Sequence, residues 1–364
     1  MEFNYPRTAR LIEEAVASLD LDLAGLSVYT EAATGGFAAT AATAIAAGAD
    51  TVYALATDSS YGTATEAQDH TERLTNRVGD GGRLVFRNRK RRTDVVVADI
   101  VTNTGFVRPI DEQMVDWLSG ESAIPLMYEP WEFRAADMDI DALWAKGIPV
   151  LGTDESDDRV ATQRYLRALA VKVALECDLE VQRGSFLVIG DGRMAAYAAR
   201  GLDALGGSVT RIAPEELEDG DDVVGWLSDD VLERLDAVFV VDHETDRTLI
   251  GTGGLIEPAT LARRAPGVVV AHICGPIAAD ELDAAEIRYV PSTPAPAGTM
   301  SYTTGYLGPR PIVELHAAGL RVGADLVRER RAGADWRTAT KTVSETPLAL
   351  DFDDPFKQEH GFYD

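Results

Sequence analysis

Gly190, Gly192 and Ala195 stand as G-x-G-x-x-A directly after the apolar run SFLVI and directly before a helical run, RMAAYAARGLDALGG. Small residues at that spacing have separate mechanical jobs: a tight turn, close approach of backbone to a pyrophosphate, and close packing of the helix on the strand. Free N–H groups at the helix start then attract phosphate charge. The pattern points to NAD or NADP, with Gly190, Asp191, Gly192, Arg193, Met194 and Ala195 as contacts. The competing reading is a strand-to-helix turn that uses glycine for backbone reasons alone. The following strand ends RIAPEE, with Arg211 close to its tip and Ala213 where an acid would bind the ribose. That arrangement tolerates a 2′-phosphate, whereas Glu215 or Glu216 would serve a ribose hydroxyl, so NAD and NADP both stay open. Asp242 and His243, at the end of AVFVVDH, complete the expected cofactor contacts.

A second set of polar residues stands in the first half, after successive apolar runs: TEAATGG (Thr30 to Gly36), TDSSYGT (Thr57 to Thr63), TNTGFVRPID (Thr102 to Asp111), YEPWEFR (Tyr128 to Arg134) and GTDES (Gly152 to Ser156). Ligands collect beyond the carboxyl ends of strands in open α/β sheets, so these loops are expected to line a substrate site. Arg108 and Arg134 offer planar forks for a carboxylate or phosphate. Glu31, Glu129 and Glu132 are candidates to hold hydroxyls or an amine, or to act as a base where burial raises the pKa. Asn103 and Tyr61 join the expected substrate contacts, and Arg108 and Glu129 are placed in the catalytic set. Thr34, Ser59, Ser60, Asp111, Asp137 and Asp157 have the plainer reading of helix caps. No paired histidines or metal-ligand spacing occur, so no metal is expected.

The elements that must carry these residues alternate. Candidate strands LSVYT, TVYALAT, RLVFR, DVVVADIV, AIPLMY and IPVLG are separated by amphipathic stretches, and a second series runs SFLVIG, SVTRIA, AVFVVD, GVVVAHIC and EIRYVP. The alternation predicts an α/β protein of two Rossmann-like domains with parallel sheets, an interdomain cleft and bridging helices. The expected divisions are a substrate domain over 1–156, a bridging helix over 157–180, a nucleotide-binding domain over 181–300, a returning helical segment over 301–344, and a poorly packed acidic tail or partner-binding arm over 345–364. A long helix is expected over Asp158 to Glu176, and another over about Pro311 to Arg330.

The second half resembles the two-domain NAD-dependent 2-hydroxyacid dehydrogenase superfamily, whose wider relatives include S-adenosylhomocysteine hydrolase. GIPVLGTDES is similar to that family's link into the cofactor domain, VIGDGRMA to its phosphate turn, and VVVAHICGPIAADEL and STPAPAG to the segments that carry its catalytic arginine and histidine. This chain has His272 and Ala295 at those two places. The resemblance therefore implies fold and cofactor; His272 is the candidate acid–base group in altered chemistry, and on its other reading a structural hydrogen-bond donor.

Sixty Asp and Glu face 34 Lys and Arg, a formal charge of -26. Such a surface repels polyanions, so nucleic acid is not an expected partner; the Ala-rich, Lys-poor composition fits a salt-adapted protein. Two cysteines, Cys177 and Cys274, imply no disulfide framework. No basic and apolar leader opens MEFNYPRTARLIEE and no long uncharged apolar run follows, so a cytoplasmic, membrane-free homodimer is expected. The expected activity is an NAD(P)-dependent oxidoreductase acting on a small polar, anionic metabolite. The alternatives are a hydrolase or lyase that oxidises transiently with bound NAD, and a non-catalytic dinucleotide-binding protein.

Overall fold

A computed structural model describes residues 3–190, 192–214, 217, 223–243 and 245–363. Asp191, Glu215 and Glu216 of the expected cofactor region lie outside the described residues. The chain forms two compact units, 1–161 with 308–364, and 162–307. Each has its own parallel sheet, that of the first unit edged by the short antiparallel strand Ala349–Leu350. Among the described residues, no helix is long and apolar enough to cross a membrane.

In the first unit β1 (Ser27–Glu31), β2 (Thr51–Leu55), β3 (Leu84–Arg87) and β4 (Ile100–Val101) pair in the order β3-β2-β1-β4. A parallel bridge from Ile100 to Ala123 extends this order to β5 (Ile124–Pro125), which pairs with β6 (Val150–Thr153). The 3-2-1-4-5-6 order reverses direction between β1 and β4, and a crevice opens at such a point because the two outgoing loops diverge. Their burial on both faces explains the continuous apolar runs. The run DVVVADIV is only partly strand. Arg92–Val95 forms a helical turn instead, because the Asp94 carboxylate is held by the Arg87 guanidinium and only Val95 of the three valines is buried.

In the second unit β7 (Ser185–Ile189), β8 (Ser208–Ile212), β9 (Ala237–Val241), β10 (Val269–Cys274) and β11 (Arg288–Val290) pair in the order β11-β10-β9-β7-β8. Its reversal falls between β7 and β9.

Two segments differ from their sequence reading. The helix expected from Asp158 begins at Leu166, after a short 3-10 turn at Thr162–Tyr165, because Ala161 takes the left-handed conformation (φ 46°) and breaks the run. It belongs to the second unit, packing on the Gly192–Ala204 helix, where a Cβ at Gly201 would lie 2.1 Å from the Arg167 carbonyl oxygen. The acidic tail is not loose. Phe352 and Phe362 are buried, the Phe362 ring sits 4.8 Å from Trp144 and 4.9 Å from Trp336, and Arg337 donates to the Phe362 carbonyl. Aromatic residues outweigh the tail's charge because each removes a large apolar area from water. The Arg310–Arg331 helix belongs to the first unit, with Gly319 against Met127: a Cβ there would lie 2.4 Å from the sulfur.

Candidate functional site

Each unit brings polar groups to its own reversal point. In the second, β7 leads directly into Gly190, whose backbone runs so close to β9 that a Cβ would lie 1.9 Å from the Val241 carbonyl oxygen. Its φ of 154° and its N–H bond to Ile212 (3.0 Å) complete the turn. Ala195 is fully buried beneath it, and any larger side chain there would lift the helix off the strand. Gly192 opens the Gly192–Ala204 helix at φ 62°, with nothing within 4 Å of the place a Cβ would occupy. Arg193 is exposed there and Met194 packs against the core. The Arg211 guanidinium lies beside the turn, 3.5 Å from the Gly192 carbonyl oxygen. Asp242 is buried after β9 and accepts from the Thr245 N–H (2.9 Å); His243 is half-buried next to it.

His272 has the geometry of its structural reading. It lies inside β10, fully buried, with Nε2 2.8 Å from the Gly275 carbonyl and Nδ1 2.7 Å from the Ser301 hydroxyl. A carbonyl only accepts, so Nε2 carries the hydrogen and Nδ1 accepts from Ser301. The Ser301 oxygen in turn accepts from the Ala295 N–H (2.8 Å). Burial holds the imidazole below its ordinary pKa, and the Gly275 carbonyl opposes this only in part. Nδ1 holds the 295–301 loop through Ser301 and Nε2 holds the Gly275 turn that follows β10, so both ring nitrogens have structural hydrogen bonds. Ser301→Ala orphans the Ala295 N–H and His272 Nδ1, which costs about 1–3 kcal/mol for each group; urea unfolding checks this expected loss.

In the first unit, β1 ends on Glu31, only 5% exposed. Its Oε2 accepts from the Phe106 N–H at 3.3 Å, and the backbone of Gly105 presses so close that a Cβ would lie 1.7 Å from the same oxygen. Burial pushes the carboxyl up to about 7, opposed by the Phe106 N–H and the charge of Arg108. Beside it the buried hydroxyls of Thr30, Thr102 and Thr104 tie β1 to the loop after β4, with Thr102 2.9 Å from each of the others. Asn103 is buried, its Oδ1 accepts from the Met127 N–H (2.9 Å), and its Nδ2 has no partner. The Tyr128 hydroxyl, also buried, has none either. It is near enough to Asn103 to feel the amide, though without hydrogen-bond geometry, and burial with the nearby charge of Asp137 pushes its pKa up to about 12. Arg108 is ion-paired with Asp137 at 2.8 Å.

Farther round this edge, Glu129 accepts from Trp131 Nε1 (2.7 Å) and from the Glu155 N–H (3.2 Å). Burial and then the Glu129 charge raise the Glu132 pKa, while Glu155 and Arg134 act against the rise. Gly152 lets this loop lie against β6, since a Cβ would meet Pro130 at 2.4 Å. Glu31, Asn103, Arg108, Glu129 and Glu132 therefore gather at one sheet edge. Tyr61 does not join them: it is 86% exposed at the tip of the tight Ser59–Gly62 turn. Tyr128 entered the sequence reading only as part of the YEPWEFR loop, and Asp137 only as a helix-cap candidate; Asp137 instead pairs with Arg108, and Asp139 caps the helix that follows. Asp111 does cap a helix, accepting from the Met114 N–H (2.9 Å). Among the described residues no group of three or more His, Cys, Asp or Glu could hold a metal.

No protein-family model matches the chain, and no curated protein does. Solved structures do match. Dipicolinate synthase from Bacillus subtilis is 13% identical, with a TM-score of 0.54 over 85% of this chain and 99% of that one. Its counterpart, the dipicolinate synthase of Bacillus halodurans, is 12% identical, with a TM-score of 0.49 over 81% and 96%. The NAD+-bound 3-phosphoglycerate dehydrogenase of Entamoeba histolytica is 11% identical, with a TM-score of 0.43 over 85% and 97%. The likeness is one of fold. At such identity two Rossmann-like domains are shared, and residue roles must be argued from this chain's own geometry.

Proposed function

We propose that the chain is an NAD(P)-dependent oxidoreductase whose second unit holds the dinucleotide and whose first unit holds a small polar metabolite. The observation that carries this reading is the turn at Gly190 and Gly192. It combines a close approach that excludes any side chain at Gly190 with open space at Gly192, at the sheet's reversal point. That is the geometry a diphosphate needs, and Arg211 adds positive charge beside it. Asp242 and His243, on the loop after β9, are assigned to the rest of the dinucleotide. Bound there, a nicotinamide ring supplies or accepts hydride, while the protein supplies position and electrostatics. In the first unit Glu31, Asn103, Arg108 and Tyr128 orient the metabolite, and the neighbouring Glu129, Glu132 and Arg134 shape its surroundings.

Titration of NAD, NADH, NADP and NADPH into the intact protein in concentrated potassium chloride, followed by thermal midpoint and nicotinamide fluorescence, tests the reading. At least one binds with a Kd below about 100 μM; no response to any of the four sinks it. Arg211→Ala is expected to weaken NADPH about tenfold more than NADH, because only the former carries a 2′-phosphate for the guanidinium to grip. Equal weakening of both would assign Arg211 to the turn instead.

A further inference from the structure

Glu31 is a buried carboxyl with no cation at ion-pair distance among the described residues, and its one hydrogen bond, from Phe106, is long. Arg108, the nearest guanidinium to act on it, is already neutralised by Asp137. The pairing of Tyr29 with Val101, carried two residues on, sets Glu31 level with Asn103 across the reversal point. The bond between the Thr30 and Thr102 hydroxyls shows that the register holds there. Asn103, 2% exposed, and Tyr128 set an amide donor and a buried hydroxyl beside each other, neither with a hydrogen bond of full geometry. Buried polar groups left in this condition are completed by a ligand or by water, since each otherwise loses its hydration for nothing.

We infer that the metabolite carries an ammonium group beside an oxygen acceptor, as an α-amino acid does, with the nitrogen on Glu31 and the acceptor on Asn103 Nδ2 and Tyr128 Oη. This deepens the reading of the cluster as the metabolite site and rests on it, not on the dinucleotide turn. Charge decides between an amine and a hydroxyl. A hydroxy acid would bring a carboxylate to a place where Arg108 is already paired and Glu31 is unpaired, adding like charge. A zwitterion brings its own cation to Glu31. The same carboxylate is placed to take one ammonium proton: the N–H bond breaks, its electron pair remains on nitrogen as a lone pair, and the proton ends on Glu31 Oε1. A carboxyl whose pKa burial has lifted to about 7 is suited to that exchange near neutrality.

Matched pairs differing only in this group test the inference: L-alanine with L-lactate, L-aspartate with L-malate, and L-glutamate with L-2-hydroxyglutarate, titrated calorimetrically into the intact protein at about pH 8. At least one amino acid is expected to bind about tenfold or more tighter than its hydroxy partner, and Glu31→Gln to erase that gap. Asn103→Asp keeps the Oδ1 contact with Met127 but turns the donor into an acceptor, so it should weaken both members about tenfold. Thermal midpoints confirm that both variants fold. A hydroxy partner that binds as tightly, a gap that survives Glu31→Gln, or no amino-acid binding at about 10 mM overturns the inference. Dinucleotide binding with no amino-acid binding removes the amine and leaves the nucleotide reading; Glu31-dependent amino-acid binding without any dinucleotide does the reverse.

Discussion

Gly190→Ala is expected to abolish dinucleotide binding and to destabilise the second unit by about 3 kcal/mol or more. The added methyl would lie 1.9 Å from the Val241 carbonyl oxygen, well inside contact distance, where Gly190 directly follows β7 and Val241 ends β9, neighbouring strands in the centre of one sheet. No rotamer relieves the clash, because a Cβ has none, so β7 or β9 must shift. The φ of 154° adds strain of about 1–3 kcal/mol for any residue with a side chain. Movement of the turn by even a fraction of an ångström misdirects the N–H groups that follow it, and a loss of about 100-fold in affinity is the minimum expected. Gly192→Ala is the control: its methyl meets nothing within 4 Å, so only the left-handed φ of 62° opposes it, at about 1 kcal/mol. Thermal unfolding with and without the dinucleotide measures both effects. Gly190→Ala that melts and binds like the wild type would show that the turn is not the binding element.

Glu31→Gln is expected to stabilise the protein at alkaline pH while removing function. The folded carboxyl has its pKa raised from 4.5 to about 7, so the native state keeps a proton that the unfolded chain has already released. Stability contributed by this group is complete below about pH 4.5, falls as pH rises through the window to about 7, and is gone above it. The loss reaches about 3 kcal/mol, the equivalent of two to three pKa units. Glutamine is neutral at every pH and still offers an oxygen to the Phe106 N–H. The variant should therefore match the wild type near pH 4 and exceed it by up to about 3 kcal/mol near pH 8. Denaturant unfolding at the two pH values in concentrated salt reads the difference directly. Equal stabilities at the higher pH would mean that Glu31 is ionised without penalty, and its assignment as a poised proton acceptor would fail. A residue kept at the expense of stability is what a functional site predicts.

The division between sequence and tertiary structure follows the range of the interactions. G-x-G-x-x-A after SFLVI is a local device, legible in the sequence from small residues at fixed spacing. The alternating α/β pattern is likewise local, and so is the Asp111 cap. The aromatic spacing of the last twenty residues was present in the sequence too, but its acidity masked it until Trp144 and Trp336 were seen to receive Phe362. Only the fold could set Glu31 level with Asn103, because strands β2 and β3 intervene in the chain while β1 and β4 lie side by side in the sheet. Only the fold could tie both His272 nitrogens into hydrogen bonds. The sequence shows an imidazole after an apolar run, whereas its state depends on Ser301 and Gly275 closing over it and on the loss of water around it. Spacing along the chain determined where backbone turns occur. Desolvation and hydrogen-bond partners brought from distant segments decided which side chains stand poised and which are locked.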